Sequence, residues 1–186
     1  MNIEIESSYK KNNIGKTIYE IVLKYRPKII IDFGVLHGYS SICMATAIKE
    51  IGEGRVFAYD LWEKYPYKHA VKDDVTKNID EHKLSNFITI GQIDFYEWIE
   101  NPTDFDLMHI DISNDGDIIE IAYNKLKSFI DKGSVIIFEG GTEERDKEWW
   151  MIEYNKKSIF PLKEIIKYEI INPSWPGLSL ISNNGN

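Results

Sequence analysis

Short apolar runs alternate with helical patterns along nearly the whole chain, and this alternation calls for a sheet layered between helices. Lys28 to Phe33 is a continuous apolar run, as expected of a strand covered on both faces. Arg55 to Tyr59, Phe87 to Ile93, Phe105 to Ile110 and Ser134 to Phe138 predict four more strands. Ile14 to Tyr25 carries Ile14, Ile18, Ile21, Val22 and Tyr25 on one helical stripe, which Pro27 ends. Tyr39 to Ile51 and Ile118 to Ile130 predict helices, and the polar stretch Tyr65 to Leu84 a further one. A segment rich in Glu, Lys and Trp predicts a helix to about Tyr154. Glu164 to Ile171 and Leu178 to Ile181 read as two strands joined by Asn172 to Gly177, an antiparallel hairpin at one edge. The expected fold class is α/β: a doubly wound, mostly parallel seven-stranded sheet ending in that hairpin.

No repeat and no Pro/Gly/Ser-rich linker divides the 186 residues. One domain is expected over 1–186, with a helical segment over 1–27 and the α/β core over 28–186. A polar tail, Ser182 to Asn186, follows the last strand. Hydrophobic residues make up 43% and charged residues 28%, which suits a packed core rather than disorder. The formal net charge is -8, and an acidic surface repels a phosphate backbone, so no nucleic-acid partner is expected. The lone cysteine, Cys43, allows no internal disulfide. The stretch MNIEIESSYKKNN lacks a signal-peptide core, and no apolar window is long enough to span a membrane. A cytoplasmic location and a small-molecule partner are expected, with assembly into a homo-oligomer left open.

The chemistry gathers where the first predicted strand meets the next helix, at Asp32-Phe33-Gly34-Val35-Leu36-His37-Gly38-Tyr39-Ser40-Ser41. A ligand over the carboxyl edge of a parallel sheet must approach the backbone closely, and glycine removes the Cβ in its way. The spacing is Gly-x-x-x-Gly, neither the dinucleotide fingerprint nor a phosphate loop. Asp32 beside this bend suits a cationic or amine-bearing ligand. Asp60, closing the second strand, suits the two hydroxyls of a ribose.

At these residues the sequence resembles the class I S-adenosylmethionine-dependent methyltransferases. Asp32-x-Gly34-x-x-x-Gly38 looks like their first motif, Asp60 like their ribose-binding acid, and Phe105 to Asp111 like their fourth-strand motif. The resemblance implies a Rossmann-like fold and S-adenosyl-L-methionine as cofactor. It also implies cofactor contacts from Asp32, Gly34, Gly38, Tyr39, Ser40, Asp60, Leu61, Trp62, Asp94 and Asp111. Trp62 is a candidate adenine platform or an ordinary packing aromatic. Asp106 to Asp111 (DLMHID) and the later Ser134 to Gly141 (SVIIFEGG) are most similar to small methyltransferases of sugars and secondary metabolites. Relatives of that group often carry Ile-Asp-Gly-x-His and His-Asp at these places, and both histidines are missing here. The Asp-Asn pair of a catechol-type metal site is replaced by Glu139-Gly140, so no metal is expected.

Asp111 and Glu139 close neighbouring strands and are the candidate catalytic carboxylates, able to raise one another's pKa. The sequence does not choose for Asp111 among contact with a methionine amine, metal ligation and general base. His37, inside the glycine bend, is the third catalytic candidate, whereas His109 in an apolar strand reads as a satisfied core histidine. Glu143 to Lys147 reads as a solvated charge run, with Arg145 available to an anionic group. The expected reaction is methyl transfer to an oxygen or nitrogen of a small molecule. The rival from another class is a non-catalytic S-adenosylmethionine- or nucleoside-binding module acting as a partner subunit.

Overall fold

The computed structural model describes residues 3–183; the end of the polar tail, 184–186, lies outside them. The helices are α1 (Ile14–Tyr25), α2 (Tyr39–Ile51), α3 (Lys72–Glu81), α4 (Phe95–Trp98), α5 (Gly116–Asp131), α6 (Glu143–Asp146), α7 (Trp149–Glu153) and α8 (Lys163–Ile166). The strands are β1 (Ile29–Phe33), β2 (Arg55–Asp60), β3 (Ile88–Gln92), β4 (Leu107–Ile110), β5 (Val135–Glu139), β6 (Glu169–Asn172) and β7 (Leu178–Ile181). They form one sheet in the order β3-β2-β1-β4-β5-β7-β6. The first five are parallel, and β7 runs antiparallel to both β5 and β6.

Period-2 alternation explains why the central strands read as continuous apolar runs. Ile30, Leu107, Val135 and Ile137 pack with Ile14 and Ile18 of α1 and Ile42 and Ile48 of α2. Ile31, Phe33, Met108, Ile110, Ile136 and Phe138 face the opposite way, onto Ile118, Ala122, Leu126 and Ile130 of α5. Asp32 and His109 belong to the α1/α2 face and are fully buried there, cross-strand partners in the β1–β4 register. That face carries the polar groups of the site.

Three expectations are corrected. The polar stretch after β2 is helical only from Lys72, because Tyr65 precedes Pro66 and is held extended at ψ 123°. The expected helix reaching Tyr154 is two short pieces, since Glu148 takes an extended backbone (ψ 140°) between α6 and α7. Glu164 to Ile166 is helical rather than strand: a 3-10 turn, Phe160–Leu162, leads into α8, and Lys167 in the left-handed region ends it. There Ile165 stays exposed and Ile166 is buried, the one-sided pattern of a helical turn.

Candidate active site

The parallel strands deliver Gly34, Asp60, Asp111 and Glu139 to one edge of the sheet. Gly34 and Gly38 take φ +88° and +91°, and Gly38 is the N-cap of α2. The reason for glycine at position 34 is internal. A Cβ there would stand 1.8 Å from the backbone oxygen of Asp111, so the tips of β1 and β4 touch through the missing side chain. At Gly38 the nearest neighbour of a Cβ is a methyl of Val75, at 3.2 Å.

Asp60 clamps the bend. Its Oδ2 accepts the backbone N–H groups of Val35 (2.8 Å) and Leu36 (3.0 Å), and Oδ1 accepts that of Trp62 (3.0 Å). Beside it, Leu61 uses its carbonyl to accept from the Gln92 amide at 2.7 Å. Trp62 is fully buried and donates its ring N–H to Gly91, so it offers no open face to an adenine; the packing alternative is the one realised. Asp94 caps α4, its Oδ1 accepting the N–H of Tyr96 at 2.7 Å.

Asp32 is spent on its own scaffold. Oδ2 accepts the hydroxyls of Ser40 and Ser41, and Oδ1 lies 2.7 Å from Nδ1 of His109. With Nδ1 donating to that carboxylate, Nε2 is left to accept the Tyr9 hydroxyl, 3.2 Å away; the tautomer is assigned from this network. His109 is thus a satisfied core histidine. Tyr39 lines the bend and packs toward Gly15 and Cys43; burial, then Cys43, push its hydroxyl to about 12. His37 lines the same bend, and its carbonyl accepts from Asn78 at 3.1 Å.

Asp111 keeps some accessible surface, yet burial pushes its carboxyl well above the usual carboxylate range, and the charge of Glu139 adds to the effect. Tyr9 and Asp111 line the same small cavity. Glu139 is held by Arg145, whose Nε and Nη2 both reach Oε1, at 3.1 and 2.8 Å. Asn114 ties the strand tips together, donating to the carbonyls of Ile110 (2.8 Å) and Glu139 (3.0 Å).

Arg145 is not part of a solvated run. It is 3% exposed, stacked under the Trp150 ring at 4.4 Å. Gly140 and Gly141, at φ +101° and +91°, turn the chain back over the tip of β5, and the Thr142 cap starts α6 there. That glycine pair was the available signal. Tyr9 was also missed, and only the Ile3-x-Ile5 alternation before it hints at an ordered segment.

Glu6 to Tyr9 lie over the bend and enclose, with Gly34, Leu36, His37 and Asp111, a cavity of about 50 Å³. Among the described residues no three His, Cys, Asp or Glu side chains are grouped to hold a metal ion. Among them, too, no helix is long and apolar enough to cross a membrane.

Residues 31–139, from β1 to the last residue of β5, match the sequence profile of the methyltransferase domain family. The chain belongs to that family. No curated protein matches this methyltransferase in sequence. Its fold is similar to that of the O-methyltransferase TomG from Streptomyces achromogenes, solved with SAM and involved in tomaymycin synthesis. The TM-score is 0.65 at 14% identity, covering 92% of this chain and 80% of that one. An O-methyltransferase from Bacillus cereus in complex with SAH gives 0.63 at 19% identity, covering 92% and 81%. A cofactor-bound protein from MTB gives 0.69 at 16% identity, covering 99% and 85%. The methyltransferase match begins just before Asp32 and ends on Glu139, so every edge carboxylate described above falls inside it.

Proposed function

We propose that this methyltransferase uses S-adenosyl-L-methionine to methylate an oxygen, or a nitrogen, of a small molecule. One observation carries the reading: within the family match, the glycine bend and the carboxylates Asp60, Asp111 and Glu139 converge on one sheet edge. In similar folds the bound molecule is SAM or SAH.

The charges fit such a cofactor. Glu139 has Arg145 as its cation, whereas Asp111 has no cationic partner among the described residues. A ligand bearing an ammonium and a sulfonium supplies the missing positive charge. Asp60, oriented by three backbone N–H groups, is the group for the ribose; Gly34 to Ser40 lie under the amino-acid end. The bound cofactor supplies an electrophilic methyl on a leaving group already activated by its charge. The protein is left to position the acceptor, exclude water and remove a proton. Asp111 suits that last task, because burial and Glu139 raise its basicity toward the working pH. Arg145 holds Glu139 in place beside it. The acceptor class we favour is a sugar or secondary metabolite, for which the exposed faces of Trp149 and Trp175 offer flat apolar contact.

Calorimetry with S-adenosylmethionine, S-adenosylhomocysteine and NAD tests the cofactor. The first two bind, NAD does not, and Asp60→Ala weakens binding about tenfold, a change of about 1.4 kcal/mol. Binding of NAD alone sinks the reading. Binding without S-adenosylhomocysteine production from any acceptor pool favours the non-catalytic module.

A further inference from the structure

The room inside the site does not match its chemistry. A drug-sized ligand needs a cleft of about 300 Å³ or more, and where Glu6 to Tyr9 cover the bend beside Asp111, the end proposed for the amino-acid part of the cofactor, only about 50 Å³ is open. Some wall has to move, and the walls are not equally fixed.

The bend itself is immobilised. Gly34 abuts the backbone of Asp111, and the amides of Val35 and Leu36 are bonded to Asp60. The sheet floor is locked by ladder pairing on both sides of β1 and β4. The segment over residues 3–12 is different. It crosses the site before α1 with a single 3-10 turn, Ser8–Lys10, and belongs to no strand. Around that turn the main chain bonds locally, Lys10 N–H to the Ser7 carbonyl at 3.3 Å and Tyr9 N–H to Ser7 Oγ at 3.2 Å. Side chains hold it instead. Ile3 and Ile5 are buried in the α1/α2 core, and Tyr9 reaches down to His109 and lines the cavity with Asp111. The far end is tied outside the cavity, where Asn172 donates to the Asn12 carbonyl at 3.2 Å and Asn12 to that of Trp175. A segment held by side chains, in no strand ladder, opens more readily than walls that are locked into the sheet.

We infer that residues 3–12 form a strap, latched by Tyr9 over the reactive end of the site, which ligand binding lifts. This rests on the reading of the bend as the cofactor seat. Tyr9 and the amino-acid end of the cofactor then compete for the same space beside Asp111. At the site itself the latch is the buried Tyr9 ring and its hydrogen bond to His109, neither of which belongs to the sheet ladder. Its cost appears as slow association and as an affinity reduced by the closed fraction.

The test uses the full chain and S-adenosylhomocysteine as the probe. Stopped-flow tryptophan fluorescence gives the association rate for the wild type, Tyr9→Ala, Tyr9→Phe and Asn172→Ala. Tyr9→Ala and Asn172→Ala, the second remote from the cavity, should each bind about tenfold faster; Tyr9→Phe, which keeps the ring, gains less. Saturating S-adenosylhomocysteine should also speed tryptic cleavage after Lys10 and Lys11 of the wild type about tenfold, as a lifted strap becomes a substrate. Binding with unchanged rates in both fast variants, or with cleavage unchanged or slowed, overturns the strap and leaves the cofactor reading standing. Failure of the probe to bind the wild type and Tyr9→Ala alike overturns both. Binding to Tyr9→Ala but not to the wild type supports the strap.

Discussion

Replacing Asp32 by alanine asks whether the buried carboxylate is the keystone of the site's floor. The substitution leaves three buried donors without their acceptor: the hydroxyls of Ser40 and Ser41 and Nδ1–H of His109. All three residues are 5% exposed or less, so water does not replace the lost bonds. A buried donor without a partner costs about 1–3 kcal/mol, and breaking a buried His–carboxylate pair about 3–5 kcal/mol. The hydroxyls can rotate to other acceptors, so we take about 4 kcal/mol for the whole. At roughly 2–4 °C per kcal/mol for a domain of this size, the midpoint falls by about 8–16 °C. Asp32→Asn retains one acceptor oxygen, and its NH₂ can donate to Nδ1 once His109 changes tautomer, so about half the loss is expected. Urea unfolding followed by tryptophan fluorescence gives the comparison, with unchanged slope as the check on two-state behaviour. Asp32→Asn should lower S-adenosylhomocysteine affinity less than Asp60→Ala does, since its oxygens are already committed to protein donors. A loss under about 1 kcal/mol for Asp32→Ala would refute the keystone argument.

Gly34→Ala forces a Cβ to 1.8 Å from the Asp111 oxygen at φ +88° and should cost about 4 kcal/mol or more. Gly52→Ala has nearly the same φ, +90°, with nothing within 4 Å, and should cost about 1 kcal/mol; equal losses in chemical denaturation would show that the contact is immaterial. Burial and Glu139 place the folded pKa of Asp111 above its unfolded value of about 3.9. Its share of stability is therefore full below that value and is lost as pH rises through the folded one. Asp111→Asn stays neutral, so its stability relative to the wild type should climb as pH rises above about 4, read from urea midpoints. A difference that does not vary with pH contradicts the assignment.

The architecture was legible because its signals are local. Pro27 stops the first helix, Gly52 caps the second, and covered strands betray themselves as unbroken Ile, Val and Phe. Boundaries slipped where backbone geometry overrode side-chain pattern, as at Tyr65 before its proline and in the turn over Phe160 to Ile166. The edge acids Asp60, Asp111 and Glu139 could be found by position alone, since a parallel strand must end there. What each acid bonds to could not. Asp32 turns inward to two serines and a histidine, Asp60 grips the bend, and Arg145 folds back under a tryptophan. Tyr9 reaches its partner His109 across 100 positions of chain, a separation no short motif encodes.

The kiss of Gly34 against the Asp111 carbonyl separates two things a motif search usually conflates. That glycine is demanded by the crossing of two main chains, whatever chemistry happens above them. A descendant that had lost its reaction would still have to keep it, while remaining free to exchange the carboxyl of Asp111. On the role proposed for Asp111, the acid at the tip of β4 is the position to inspect when separating working enzymes from silent ones on this scaffold, and the glycine is only a certificate of fold.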